Sequence, residues 1–203
     1  MEVFVIIAIL AILAAMILPA LRAGRSINSH TLCVNNLQGI GAACRVWAGN
    51  NNDKYPMEVS VTNGGAREMA FSGEVAGAFR AMSNELYTPK ILICPKDTSR
   101  TCATSFASGF NNANISYFVS LDADPSFQRA FLSGDDNFAI SGEPLKSGLL
   151  QLTMNTPIAW AVTRHVKVGN VLLDDGSVQM LNNLQLPVFL QATGLATNRL
   201  AIP

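Results

Sequence analysis

Glu2 stands directly ahead of an unbroken apolar run, Val3 to Leu18, which leads into Pro19-Ala20-Leu21 and is followed by Arg22 and Arg25. No other stretch restricts the chain so strongly. As a helix, about 19 apolar residues rising about 1.5 Å each span roughly 28 Å, close to the hydrocarbon thickness of a bilayer. The run has no polar face, which argues against an ordinary core helix. It also lacks the basic stretch that opens a cleaved secretory signal, and it exceeds the usual apolar region of about 7 to 15 residues. Residues 1–21 are therefore expected to form a hydrophobic membrane helix. By the positive-inside rule Arg22 and Arg25 would hold the rest of the chain in the cytoplasm. Glu2 complicates that reading, because a carboxylate heading a membrane helix calls for a partner.

Beyond the run, Cys33, Leu37, Ile40, Cys44 and Trp47 recur at helical spacing and define one apolar stripe. Residues 22–50 are expected to continue the helix with that stripe against a globular domain. A helix from Glu2 to about Gly49 would be roughly 70 Å long. Asn50-Asn51-Asn52-Asp53-Lys54-Tyr55-Pro56 should end it, being poor helix formers ahead of a proline.

Residues 51–203 alternate short apolar runs with turn chemistry, and no repeat or low-complexity linker divides them. The pattern predicts a short helix over Gly73 to Leu86 and a second over Leu186 to Ala192. Strands are predicted at Ile91 to Cys94, Ile115 to Leu121, Ile158 to Val162, Asn170 to Leu173 and Ser177 to Leu181. Asp174-Asp175-Gly176 joins the last two as a hairpin, since glycine supplies positive φ readily. Only 14% of the residues are charged and the 14 Lys+Arg equal the 14 Asp+Glu, so no field steers the chain to nucleic acid.

The stretch Glu2 to Leu21 resembles the N-terminal segment of type IV pilins and type II secretion pseudopilins, in which a glutamate heads a hydrophobic helix that carries a proline at the spacing of Glu2 and Pro19. His165, followed after nine residues by Asp175-Gly176, resembles the H-X9-DG motif of one pseudopilin-like group, as do Cys33-Val34-Asn35-Asn36-Leu37 and Cys94-Pro95-Lys96-Asp97. The resemblance implies an α+β pilin-like fold: a long N-terminal helix, transmembrane in its first half and kinked near Pro19, packed on an antiparallel sheet with loops. It implies that Glu2 neutralises the N-terminal amine of a neighbouring subunit during assembly. It also implies a single-pass inner-membrane protein, with the globular domain in the periplasm or outside, that assembles into a filament with other pseudopilins and the inner-membrane secretion machinery. Family members carry a basic leader removed by a prepilin peptidase, whereas Met1 alone precedes Glu2. The resemblance therefore implies either a leader upstream of Met1 or a copy without the processing site.

His165 and Asp175 are expected to satisfy hydrogen bonds at a strand end and a tight turn. A catalytic pair would need a third group and a pocket. Cys33 and Cys44 lie about 16 Å apart on one helix and cannot pair. Cys94 could pair with Cys102 or with Cys33, or all could remain free thiols. No Cys-x-x-Cys or Cys/His cluster exists, so a cysteine metal site is not expected. Asp122, Asp124, Asp135, Asp136 and Asn137 gather oxygens near turns and are the candidate calcium ligands, with solvated turns the favoured reading. With two histidines and neither nucleophile elbow nor phosphate loop, no enzyme and no other cofactor are expected. The leading expectation is a structural filament subunit. The alternative is a non-polymerising, membrane-anchored binding protein that recognises its partner through loops between Gly109 and Gly148. An anchored hydrolase using His165 and Asp175 ranks last.

Overall fold

The computed structural model describes residues 2–126 and 129–203. Within the first 28 residues it describes the side chains of Phe4–Ile7, Leu13 and Ala15, so the Glu2 and Pro19 side chains lie outside the described set. Helix α1 runs Glu2–Gly49 and passes through Pro19 without ending there. Its last part carries the expected stripe: Cys33, Leu37, Ile40, Cys44 and Trp47 are all buried. The helix stops where Asn52 and Asp53 adopt positive φ of 58° and 52°. The left-handed region costs roughly 1–2 kcal/mol for most L-residues, and Asn and Asp tolerate it best.

Three short helices follow, α2 (Arg67–Phe71), α3 (Val75–Ala81) and α4 (Ser83–Leu86). The predicted Gly73 to Leu86 helix is thus two pieces, broken at Met82, whose φ of −105° and ψ of 31° leave the helical region. The predicted strand Ile91 to Cys94 is not one: Pro89–Leu92 forms a 3-10 turn, set by Pro89 and by Thr88, whose hydroxyl accepts from Lys90 N. A final helix, α5, spans Gln185–Ala192.

Nine strands make up most of the remainder: β1 (Tyr117–Ser120), β2 (Phe131–Asp135), β3 (Phe138–Ile140), β4 (Glu143–Pro144), β5 (Gly148–Thr153), β6 (Ile158–Trp160), β7 (Val168–Leu173), β8 (Val178–Asn182) and β9 (Thr197–Ile202). Six of them form one sheet in the order β5-β9-β1-β2-β7-β8, and β4-β3-β6 form a second. Every neighbouring pair is antiparallel. The β7–β8 hairpin turns through Asp174, Asp175 and Gly176, with Gly176 at φ 83°.

The larger sheet is covered on both faces. Alternate side chains of a strand point to opposite faces, and here Tyr117, Val119, Leu132, Leu172 and Ala201 join α1 and the short helices in one core. Phe118, Phe131, Val171, Leu173, Leu200 and Ile202 point the other way, into a second core with Phe138, Ile158 and Trp160 of the small sheet and Leu186 and Leu190 of α5. The layers are therefore α1, the six-stranded sheet, and then the small sheet with α5.

This corrects the expected pilin-like fold. The chain is mainly antiparallel β among the described residues, with nine strands in two sheets, and the buried side chains described for α1 run from Ser29 to Ala48. Among the described residues no helix is long and apolar enough to cross a membrane. The expected transmembrane first half, the prepilin-type helix and the single-pass inner-membrane location are accordingly withdrawn. The region between Gly109 and Gly148, expected to be recognition loops, instead holds β1 to β4, with most of β1 to β3 buried.

Candidate functional site

Four chemically reactive side chains converge where α1 meets the larger sheet. Cys33 comes from the buried stripe of α1, Cys94 from the chain just past the Pro89–Leu92 turn, and Asp135 from the end of β2. His165 comes from the connection between β6 and β7. The first three are 0% exposed and His165 is 4% exposed. The two sulfurs lie 3.1 Å apart. His165 Nε2 is 3.5 Å from Cys33 Sγ and 3.2 Å from Cys94 Sγ. Asp135 Oδ2 lies 3.9 Å from the same nitrogen.

Local backbone explains how two of these groups are aimed. Val166 and Lys167, directly after His165, both adopt positive φ, at 47° and 63°. For a β-branched residue this is a strained conformation, and it tightens the reversal that leads into β7. Asp135 is held from the neighbouring strand: Asn170 donates to Oδ2 from its backbone N at 2.7 Å and from Nδ2 at 2.9 Å. Its Oδ1 is buried with no hydrogen-bond partner, and so is Nδ1 of His165. The His30 ring lies 4.4 Å from that of His165, centroid to centroid.

The four groups shift one another's protonation. The thiol of Cys33, donating to Cys94, and the His165 imidazole push Cys94 far below the ordinary thiol range despite its burial. That same bond, with burial, pushes Cys33 up. Burial opposes a charge on His165, but the hydrogen bond to Cys94 and the carboxylate of Asp135 outweigh it and raise the imidazole. Burial raises Asp135 in turn, against the stabilising effects of His165 and Asn170. Burial, followed by the charge on His165, lowers His30.

A second polar network uses the neighbours of the same residues. Asp136 follows Asp135, Arg164 precedes His165, and Asp97 lies three residues after Cys94. Arg164 pairs with Asp136 and, at 3.2 Å, with Asp97, while Arg100 reaches Asp136 at 2.5 Å. Ser116 Oγ donates to Asp97 Oδ2 at 2.8 Å, and Arg100 Nη2 to the Pro203 carbonyl at 3.0 Å. Two carboxylates thus face two guanidiniums, which is the balance that buried charges require.

The expected sites are redistributed by this geometry. Cys94 lies against Cys33, not Cys102, which is exposed and donates to the Ala103 carbonyl; all four cysteines are free thiols. The two ends of the H-X9-DG motif do not meet as a pair: His165 is buried among the sulfurs, and Asp175 caps the hairpin by accepting from Ser177 N at 2.7 Å. The five candidate calcium ligands do not share a site. Asp122 pairs with Arg199, Asp124 accepts from Ser126, Asp136 joins the arginines, Asn137 Nδ2 donates to the Ala161 carbonyl, and Asp135 joins the cysteines. Among the described residues one group has metal-ligand chemistry within reach, namely Cys33, Cys94, Asp135 and His165, whose ligand atoms all lie within 4.8 Å of one another. Sequence separations of 61 between the cysteines and 71 from Cys94 to His165 hid it from any local motif. The usable signal was that Cys33, Cys94 and His165 each sit in a separate recognisable motif.

No protein-family model matches the chain, and neither does any curated protein or solved structure. Fold and site define a two-sheet, mainly antiparallel protein pinned on a helix by a buried thiol, imidazole and carboxylate cluster. The family resemblance rests on the sequence motifs alone.

Proposed function

We propose that the chain is a non-enzymatic structural subunit of a type IV pilus-like or type II secretion filament, joined to its neighbours through the apolar first part of α1. One observation carries this reading. Phe4 is 78% exposed, Val5, Ile6 and Ile7 are each 57% exposed, and Leu13 is 50% exposed. Apolar side chains this bare on a helix gain about 25 cal/mol for each Å² that a partner covers. Copies of the same segment suit one another, because the run from Val3 to Leu18 offers no charge to select a different partner. Glu2 heads this run, and a carboxylate in a dry helix bundle requires a partner.

The test compares the full chain with Ile7→Asp and Glu2→Ala by sedimentation and electron microscopy. Elongated assemblies of the parent chain are expected, with both variants monomeric or short and their circular dichroism unchanged. A parent chain that stays monomeric at micromolar concentration, or an Ile7→Asp variant that assembles normally, would overturn the reading.

A further inference from the structure

We propose that Cys33, Cys94, Asp135 and His165 form a closed, structural zinc site that fastens α1 to the larger sheet. The donor set is two sulfurs, one imidazole nitrogen and one carboxylate oxygen, a combination suited to a borderline-soft, four-coordinate ion. Calcium is a poor fit, since it takes six to eight oxygens. Zinc bonds of about 2.3 Å to sulfur and about 2.0 Å to nitrogen give tetrahedral edges of roughly 3.8 Å between sulfurs and roughly 3.5 Å from sulfur to nitrogen. The observed separations are 3.1 Å between the sulfurs and 3.5 and 3.2 Å from them to His165 Nε2. A tetrahedron would need the sulfurs to open by about 0.7 Å and the Asp135 carboxylate, now 3.9 Å from Nε2, to close toward roughly 3.3 Å.

Three further observations point to an ion. Both sulfurs face the same nitrogen of His165, the arrangement expected when Nε2 is a ligand. Asp135, 0% exposed, has its Oδ1 without a partner, and an uncompensated buried carboxylate oxygen is costly. The two donors from Asn170 to Oδ2 fix the carboxylate from behind, as outer groups fix a metal ligand. The four ligands come from α1, the Cys94 turn, β2 and the β6–β7 connection, so one ion would tie together segments that share no local contact in sequence. With all four positions supplied by protein and all four residues buried, the site has no open position for a substrate and is structural.

The test uses the full chain, purified without chelator, and three measurements. Metal content by plasma mass spectrometry is expected to give one zinc per chain. Alkylation of the denatured, unreduced protein is expected to label four thiols. Cobalt added to the zinc-stripped parent chain is expected to produce the near-ultraviolet thiolate-to-cobalt charge-transfer band. Cys33→Ser should weaken zinc retention by about a hundredfold or more, and Cys102→Ser should leave it unchanged. A metal-free chain with two alkylatable thiols would show a Cys33–Cys94 disulfide and overturn the proposal. Zinc retained equally by Cys33→Ser, or cobalt bound without the charge-transfer band, would place the metal elsewhere and overturn it too. The cobalt measurement needs no variant, so it decides the matter even if Cys33→Ser fails to fold.

Discussion

Asp174 shows how a single residue in an ordinary hairpin turn acquires unusual chemistry from its packing. It is 3% exposed, its Oδ2 accepts from the Asp124 N at 3.1 Å, and its Oδ1 is buried without a partner. Burial lifts its carboxyl from 3.8 to about 8; the Asp124 N–H opposes that rise and the charges of Asp124, Glu58 and Asp175 add to it. The native state therefore keeps a proton between about pH 4 and 8 that the unfolded chain has already released. Stability contributed by this group is complete below pH 4 and is lost as pH rises toward 8, by about 1.4 kcal/mol for each pK unit of the difference. Asp174→Asn should remove that slope, so its melting temperature should match the parent near pH 4 and exceed it near pH 8. Calorimetric scans across that range check the point, and parallel curves for the two proteins would show that Asp174 is ionised in the fold. In sequence, Asp174-Asp175-Gly176 gives the turn but not which aspartate faces inward. Turn residues follow local φ preferences, whereas the burial of Asp174 depends on α1, whose Arg45 Nη2 donates to the Asp174 carbonyl at 3.2 Å.

At the scale of elements, the two sheets meet where Gly169 of β7 lies against the Trp160 ring of β6. A Cβ at Gly169 would lie 2.5 to 2.6 Å from three ring carbons, far inside van der Waals contact. Trp160 also stacks on Phe138 at 4.7 Å, so the ring has little room to retreat. Gly169→Ala should destabilise the protein by roughly 1–3 kcal/mol through overpacking. Urea melts followed by tryptophan fluorescence measure this, and an unchanged midpoint would mean that the small sheet moves aside freely. The β7–β8 hairpin and α5 were legible because hairpins and short helices announce themselves in local pattern. β3 was not, being only 3 residues long, nor was the edge strand β5. β2 and β9 were not either, because inner strands of the larger sheet are covered on both faces and lose the alternation of apolar and polar residues that marks a half-exposed strand. Phe131-Leu132-Ser133-Gly134-Asp135 is one example: all five residues are buried, yet its Ser, Gly and Asp read as a turn. The same pattern makes Asp135 and Asp136 look like members of a solvated turn, with calcium ligation the lesser alternative.

Among the described residues both cores of the molecule are built from positions at or beyond Cys33, whereas Phe4–Ile7 and Leu13 of α1 are exposed. A chain beginning at Ser29 should consequently fold with the melting temperature of the full chain to within a few degrees, remain monomeric, and retain the Cys33 cluster. Sedimentation and thermal scans of that truncated chain check this, and failure to fold would show that the first part of α1 also supports the body. The sequence by itself determined where α1 ends, which face of its later part is apolar and where the last hairpin turns. Each of these follows from periodicity and turn chemistry within a few neighbouring residues. Only the tertiary structure decided that the larger sheet is covered on both sides and that Cys33, Cys94, Asp135 and His165 meet. That meeting depends on strand register and on the docking of α1, which are fixed by burial summed over the whole core. No local stretch of sequence carries that sum.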